Sequence, residues 1–125
     1  MKTMEHQDWT PFDQTALGTV EIAPEVIEFI AGTAALDVEG VHALSGGFVG
    51  DIQEKLGRKN VRKGIRVRIG DQEVEVALSV IMVYGSSIPR VANELQHKVK
   101  QSIETMTSLT VKRVNVYVTG VAWDK

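Results

Sequence analysis

The 125-residue chain predicts an α+β fold. The expected architecture is a two-layer sandwich, with two main helices on one face of a mixed, mainly antiparallel sheet, in the order β-α-β-(short α)-β-β-α-β. Three observations predict it. A strand, a proline, an amphipathic helix, a turn and a second strand occur twice, over Val20 to Leu44 and again over Ser86 to Val118. Counted from Pro24 and Pro89, apolar residues fall at the same offsets of two, three, six and ten: Val26, Ile27, Ile30 and Ala34, then Val91, Ala92, Leu95 and Val99. Between the two copies stand alternating segments joined at Gly70-Asp71, a two-residue hairpin signal.

Residues 1–16 mix polar side chains with Trp9, Pro11 and Phe12, lack periodicity, and predict a mobile N-terminal arm; residues 17–125 predict one domain. Gly18 to Ile22 alternates like a half-buried strand. Pro24 suits a first helical position, where its missing N–H has no intrahelical acceptor. The first helix is expected to run to about Val38 and to end at Gly40, followed by a strand over Val41 to Leu44. Asp51 to Leu56 predicts a short capped helix, and Gly57 to Gly64 a basic loop. Ile65, Val67 and Ile69 alternate with Arg66 and Arg68, the pattern of a strand with one wet face. The return strand begins with the same alternation and becomes apolar on both faces at Val80-Ile81-Met82-Val83, which places it centrally in the sheet or under a partner. A serine at 86 or 87 is expected to cap the second helix, with a buried stripe of Val91, Ala92, Leu95, Val99, Ile103 and Met106. Val111, Val114, Val116 and Val118 supply the last strand.

The first helix carries more apolar surface than its core offsets require. Phe29 and Leu36 point away from that face, and Ala31, Gly32 and Ala35 add a small-residue patch. Such a helix needs burial on more than one side. Contact with both the sheet and the second helix satisfies that; so does self-association through Phe29, Ala31, Gly32, Ala35 and Leu36.

Composition narrows the function. Hydrophobic content of 43% and charged content of 24% are those of an ordinary globular domain, which removes a disordered chain from consideration. Without cysteine there is no disulfide frame, thiolate nucleophile or thiolate metal site. No apolar run approaches the roughly 20 residues of a membrane helix, and the start lacks a signal-peptide core. The net charge of −2 is segregated: residues 1–54 hold ten acidic residues against Lys2 alone, and residues 55–125 hold thirteen basic against six acidic. Within the basic part, Arg58, Lys59, Arg62 and Lys63 are the candidates for an anionic partner or surface.

Catalytic machinery is hard to assemble. His6, His42 and His97 are far apart, and Ser86-Ser87 is more simply a helix cap than a nucleophile. Asp51 with Glu54, and Glu73 with Glu75, are explained by a capped helix and a wet strand face. No cofactor or metal is expected. Gly47-Phe48-Val49-Gly50 has the spacing of a nucleic-acid-clamping loop but apolar residues at its centre. The basic stretch suits phosphates, yet carries no interleaved aromatic for base stacking.

Three blocks carry a family resemblance: TVEIAPEVIEFIAGTAALDVEGV, KLGRKNVRKGIRV, and VYGSSIPRVANELQHKVKQSIETMTSLTVKRVNVYVTGV. Together they resemble the alkaline-shock-protein family, small envelope-stress proteins of Gram-positive bacteria, over about Gly18 to Val121. The resemblance implies a non-enzymatic cytoplasmic protein that self-associates and collects at the inner face of the membrane through partners. It also implies a tie to cell-envelope and lipid homeostasis. The compact chain resembles a branch linked to fatty-acid synthesis genes, so regulation of acetyl-CoA carboxylase is an alternative expectation. Nucleic-acid binding through the basic loop, residues 55–68, is a further one.

Overall fold

A computed structural model describes residues 10–15, 17–45 and 64–123. Helix α1 spans Pro24–Leu36. Pro24 opens it as the sequence predicts, Glu25 lies in the first turn where negative charge favours the helix dipole, and Asp37 closes it. Helix α2 spans Ile88–Thr107; the Ser87 side chain caps it, accepting from the Arg90 N–H. At its far end Ser108 takes a left-handed conformation and its N–H donates to the Glu104 carbonyl, satisfying one of the last free carbonyls.

The main sheet is built around a central strand. It contains β3 (Val41–Leu44), β4 (Ile65–Ile69), β5 (Glu73–Val83) and β6 (Thr110–Ala122). β6 lies parallel along one edge of β5, and α2 supplies the crossover that a parallel pair needs. β3 and β4 share the other edge of β5 end to end, both antiparallel: β3 against Val80 to Met82, β4 against Val74 to Leu78. Ser79 is the junction. Its carbonyl accepts from the Ser45 N–H at 2.7 Å, and its own N–H donates to the Gly64 carbonyl at 2.8 Å. With strands on both edges, β5 is the central strand that its two-faced apolar run predicts. The two-layer α+β sandwich is thus as expected.

The core lies between the sheet and the helices. From β5 come Val74, Val76, Leu78, Val80 and Met82, alternate residues that share one face. From α1 come Ile27, Ile30, Ala31, Ala34 and Ala35, and from α2 Val91, Leu95, Val99 and Ile103. α1 packs on α2, β3 and β4 together, so the first helix is covered on two sides by its own chain. At Gly40, φ is +106° and an added Cβ would come within 2.6 Å of the Val91 side chain, so glycine is required where the chain passes close to α2.

Several expectations need correction. Val26, assigned to the core face of α1, is 46% exposed, because the buried stripe is Ile27, Ile30, Ala31, Ala34, Ala35 and Val38. Met106, assigned to the core of α2, is 67% exposed. The four-residue stride from Val91 through Ile103 reaches Thr107 instead, which is buried because its hydroxyl donates to the Ile103 carbonyl and accepts from the Leu109 N–H. The hairpin turns at Asp71-Gln72, one residue later than predicted, because the Gly70 N–H belongs to the ladder and donates to the Glu73 carbonyl. Residues 1–16 are not an arm throughout. Thr10–Thr15 form β1, antiparallel to β2 (Gly18–Ile22), in a two-stranded sheet apart from the main one. Pro11 is tolerated because a two-stranded ribbon consists of edges, and the register shifts between Pro11 and Asp13. The predicted short helix at Asp51 to Leu56 lies outside the described residues.

Candidate functional site

Between α1 and α2 the helices leave an apolar groove of about 460 Å³. Phe29 and Leu36 stand on the α1 side, 55% and 45% exposed, and Met106 on the α2 side. Ile30 and Ala34 contribute their edges, and the Asp37–Lys98 ion pair at 3.3 Å belongs to the same wall. Local spacing explains the groove. Val26, Phe29, Thr33 and Leu36 recur at three- and four-residue steps, forming a second stripe beside the buried one, and three of the four are apolar. The ion pair also borders a polar recess of about 580 Å³ lined by Glu39, Asn93, Glu94 and His97 among others. Apolar side chains left this exposed in one concavity are the usual mark of a docking surface.

The five self-association candidates therefore divide. Phe29 and Leu36 meet in the groove. Ala31, Gly32 and Ala35 are buried among core residues and are unavailable to a partner in the folded chain. Their small size serves the close seating of α1 on its own sheet and on α2. Arg58, Lys59, Arg62 and Lys63, and with them the loop over Gly47 to Gly50, lie outside the described residues. Arg66 and Arg68 occupy the wet face of β4 as expected, and Glu75 lies 3.8 Å from Arg68 and 4.0 Å from Arg113. Such exposed pairs contribute little to stability. Among the described residues no group of three His, Cys, Asp or Glu side chains is placed to hold a metal, and no helix is long and apolar enough to cross a membrane.

A second feature was not legible in periodicity. Gln96, Lys100 and Glu104 recur every four residues along α2 and reach the outer edge of β6. Gln96 Nε2 donates to the Val114 carbonyl at 3.0 Å, Lys100 Nζ to the Val111 carbonyl at 3.4 Å, and Glu104 accepts from the Val111 N–H at 2.8 Å. Lys100 and Glu104 also pair with each other at 2.8 Å. The stripe seals the first half of a sheet edge that would otherwise present free backbone groups. The Lys100 ammonium, and after it the Val111 N–H, holds the Glu104 carboxyl below its ordinary pKa. A pKa depressed in the folded state stabilises the fold above the unfolded pKa, and this contribution is lost as pH falls through the folded pKa. The stability difference between wild type and Glu104→Gln is therefore expected to be full at pH 7 and to shrink as pH drops below about 4.3. Paired denaturant titrations across that range check it; a difference independent of pH would remove the carboxylate's role.

Fold and surfaces define a small two-layer α+β module with an apolar groove between its helices. The chain belongs to the ASP23 family, the alkaline-shock proteins, described as having a cell envelope-related function; the match covers residues 12–123. The YqhY protein of Bacillus subtilis is 39% identical over 121 residues, spanning 97% of this chain and 85% of that one. YloU of the same organism is 34% identical over 110 residues, 86% of this chain and 92% of the other. A stress response regulator gls24 homolog of Streptococcus pyogenes is 31% identical over 105 residues, 83% of this chain but 59% of the regulator. The family resemblance carried by the sequence blocks is thereby borne out, as is the link to the cell envelope.

Proposed function

We propose that this protein is a non-enzymatic interaction module of the cell-envelope stress response and lipid homeostasis, acting by protein–protein contact and self-association. The observation that carries this reading is the convergence of Phe29, Leu36 and Met106 on one groove between the helices. An amphipathic helix or apolar loop of a partner is the natural occupant of such a channel between two helices. The kinship with stress response regulators supports the physiological setting. A peripheral position at the inner face of the membrane follows if the groove's partner is itself membrane-bound.

The test is to charge the groove. Phe29→Glu with Met106→Glu alters two side chains that are more than half exposed, so the thermal transition should stay close to wild type. In the native cells, cross-linking should then lose the partners seen with wild type, and growth under envelope stress should match a strain lacking the protein. Full retention of both cross-links and growth would sink the groove as the functional surface.

A further inference from the structure

The basic stretch of the sequence carries no aromatic residue, and the sheet supplies one. β5 turns Val74, Val76, Leu78, Val80 and Met82 toward the helices. Its alternate residues turn to the opposite face, which neither helix covers. Residues in register across a ladder share a face. Arg68 and Arg113 therefore stand there on either side of Glu75, Arg66 and Asn115 on either side of Ala77, and Tyr117 beside Ser79. The ion distances agree, with Glu75 lying 3.8 Å from Arg68 and 4.0 Å from Arg113. A register shift at Lys112 makes this arrangement: it lets Val111 and Val114, three residues apart, both enter the core, and it turns Arg113, Asn115 and Tyr117 outward.

Three properties of this face point to its ligand. Over the rows from Glu75 to Ser79, three guanidinium groups meet one carboxylate, in a chain of net charge −2. Glu73, one row earlier, is paired with Lys112 at 3.7 Å. Arg66 has no ion-pair partner among the described residues, and the contacts of Arg68 and Arg113 to Glu75 are long and exposed, so all three keep N–H donors for phosphate oxygens. Tyr117 is 56% exposed, and the small side chains of Ala77 and Ser79 beside it leave its ring accessible. Asn115 lies between the ring and Arg113 along β6 and offers both a donor and an acceptor to a base edge. We propose that this open face of the main sheet binds single-stranded nucleic acid, with an unpaired base stacked on Tyr117 and phosphates held by Arg66, Arg68 and Arg113. The reading goes beyond the function proposed above and uses the side of the sheet away from the groove. The ring selects the occupant. A duplex hides its bases from it, and an acidic protein would meet the arginines without the planar partner that every nucleotide carries. From Arg113 to Tyr117 is four residues of extended strand, roughly 13 Å, so one strand of nucleic acid can reach both.

Fluorescence anisotropy of the full chain with labelled single strands of about 10 mixed-sequence nucleotides, as RNA and as DNA, tests this. Both should bind at low salt, with log K falling against log salt at a slope of about −2, as expected when three phosphates of a single strand are neutralised. Tyr117→Ala should weaken binding about fivefold or more at an unchanged slope, whereas Tyr117→Phe should keep it, because stacking needs the ring and not the hydroxyl. Arg66→Gln should weaken binding and make the slope shallower by about 0.7. Both side chains are exposed, so the melting curves should stay close to wild type. No binding at low salt, a duplex bound as tightly as the single strand, or wild-type binding by Tyr117→Ala would overturn the proposal. Equal affinity for polyglutamate or for phosphatidylglycerol vesicles would overturn it as well. So would binding that is lost on charge reversal at Arg58, Lys59, Arg62 and Lys63 yet indifferent to Tyr117, since that binding belongs to the basic loop.

Discussion

Replacing Gly64 by alanine is expected to lower stability by about 3 kcal/mol or more. Gly64 has φ +78°, which L side chains seldom adopt, and an added Cβ would stand 2.5 Å from the Ser45 carbonyl oxygen and 2.9 Å from that of Ser79. Both obstacles are backbone, so no rotamer change relieves them. They also belong to the junction where β3 and β4 meet along β5, and the Gly64 carbonyl accepts the Ser79 N–H there. Displacing Gly64 therefore disturbs both strands on that edge. Gly85→Ala is the control: its φ is +96°, but no atom lies within 4 Å of the added carbon, so only conformational strain of roughly 1–2 kcal/mol remains. Denaturant midpoints for the two variants decide the matter, and equal losses would mean that the junction is not close-packed.

Leu95→Ala is expected to cost about 2–5 kcal/mol, since the side chain is fully buried between α2 and the sheet and its removal leaves a cavity. Met106→Ala, eleven positions later in the same helix, should change stability by about 0.5 kcal/mol or less because its side chain is largely exposed. Periodicity assigns both to one buried stripe, and only the fold separates them. Chemical denaturation of both variants provides the comparison; a Met106 loss as large as that at Leu95 would mean that the groove is closed.

Much of the architecture was readable because it depends on local repetition. Both helices follow from apolar spacing and from their opening prolines, and Ser87 caps α2 as a serine before such a helix should. The central position of β5 follows from its apolar run on both faces. Phe29 and Leu36 were marked by lying outside the core offsets of α1. β1 escaped notice because a polar segment with Pro11 has no strand periodicity; its pairing with β2 makes it a strand. Ala31 and Ala35 looked like a contact patch because residue size does not reveal what a helix face rests on. The seal formed by Gln96, Lys100 and Glu104 was invisible for a similar reason, since ordinary wet-face residues acquire that role only when β6 arrives beside them.

By itself the sequence determined the fold class, the two main helices and where each opens, the central strand and the family, all of which are written in spacings of two to four residues and in blocks of linear text; the first helix ends at Leu36, short of the expected Val38. Only the tertiary structure decided that β3 and β4 share one edge of β5, that Phe29, Leu36 and Met106 converge on a groove, and that α2 seals the first half of the β6 edge. The physical reason is common to all three. Periodicity states which face of an element is apolar, whereas a junction, a groove or a covered edge is a relation between elements far apart in the chain, set when they pack.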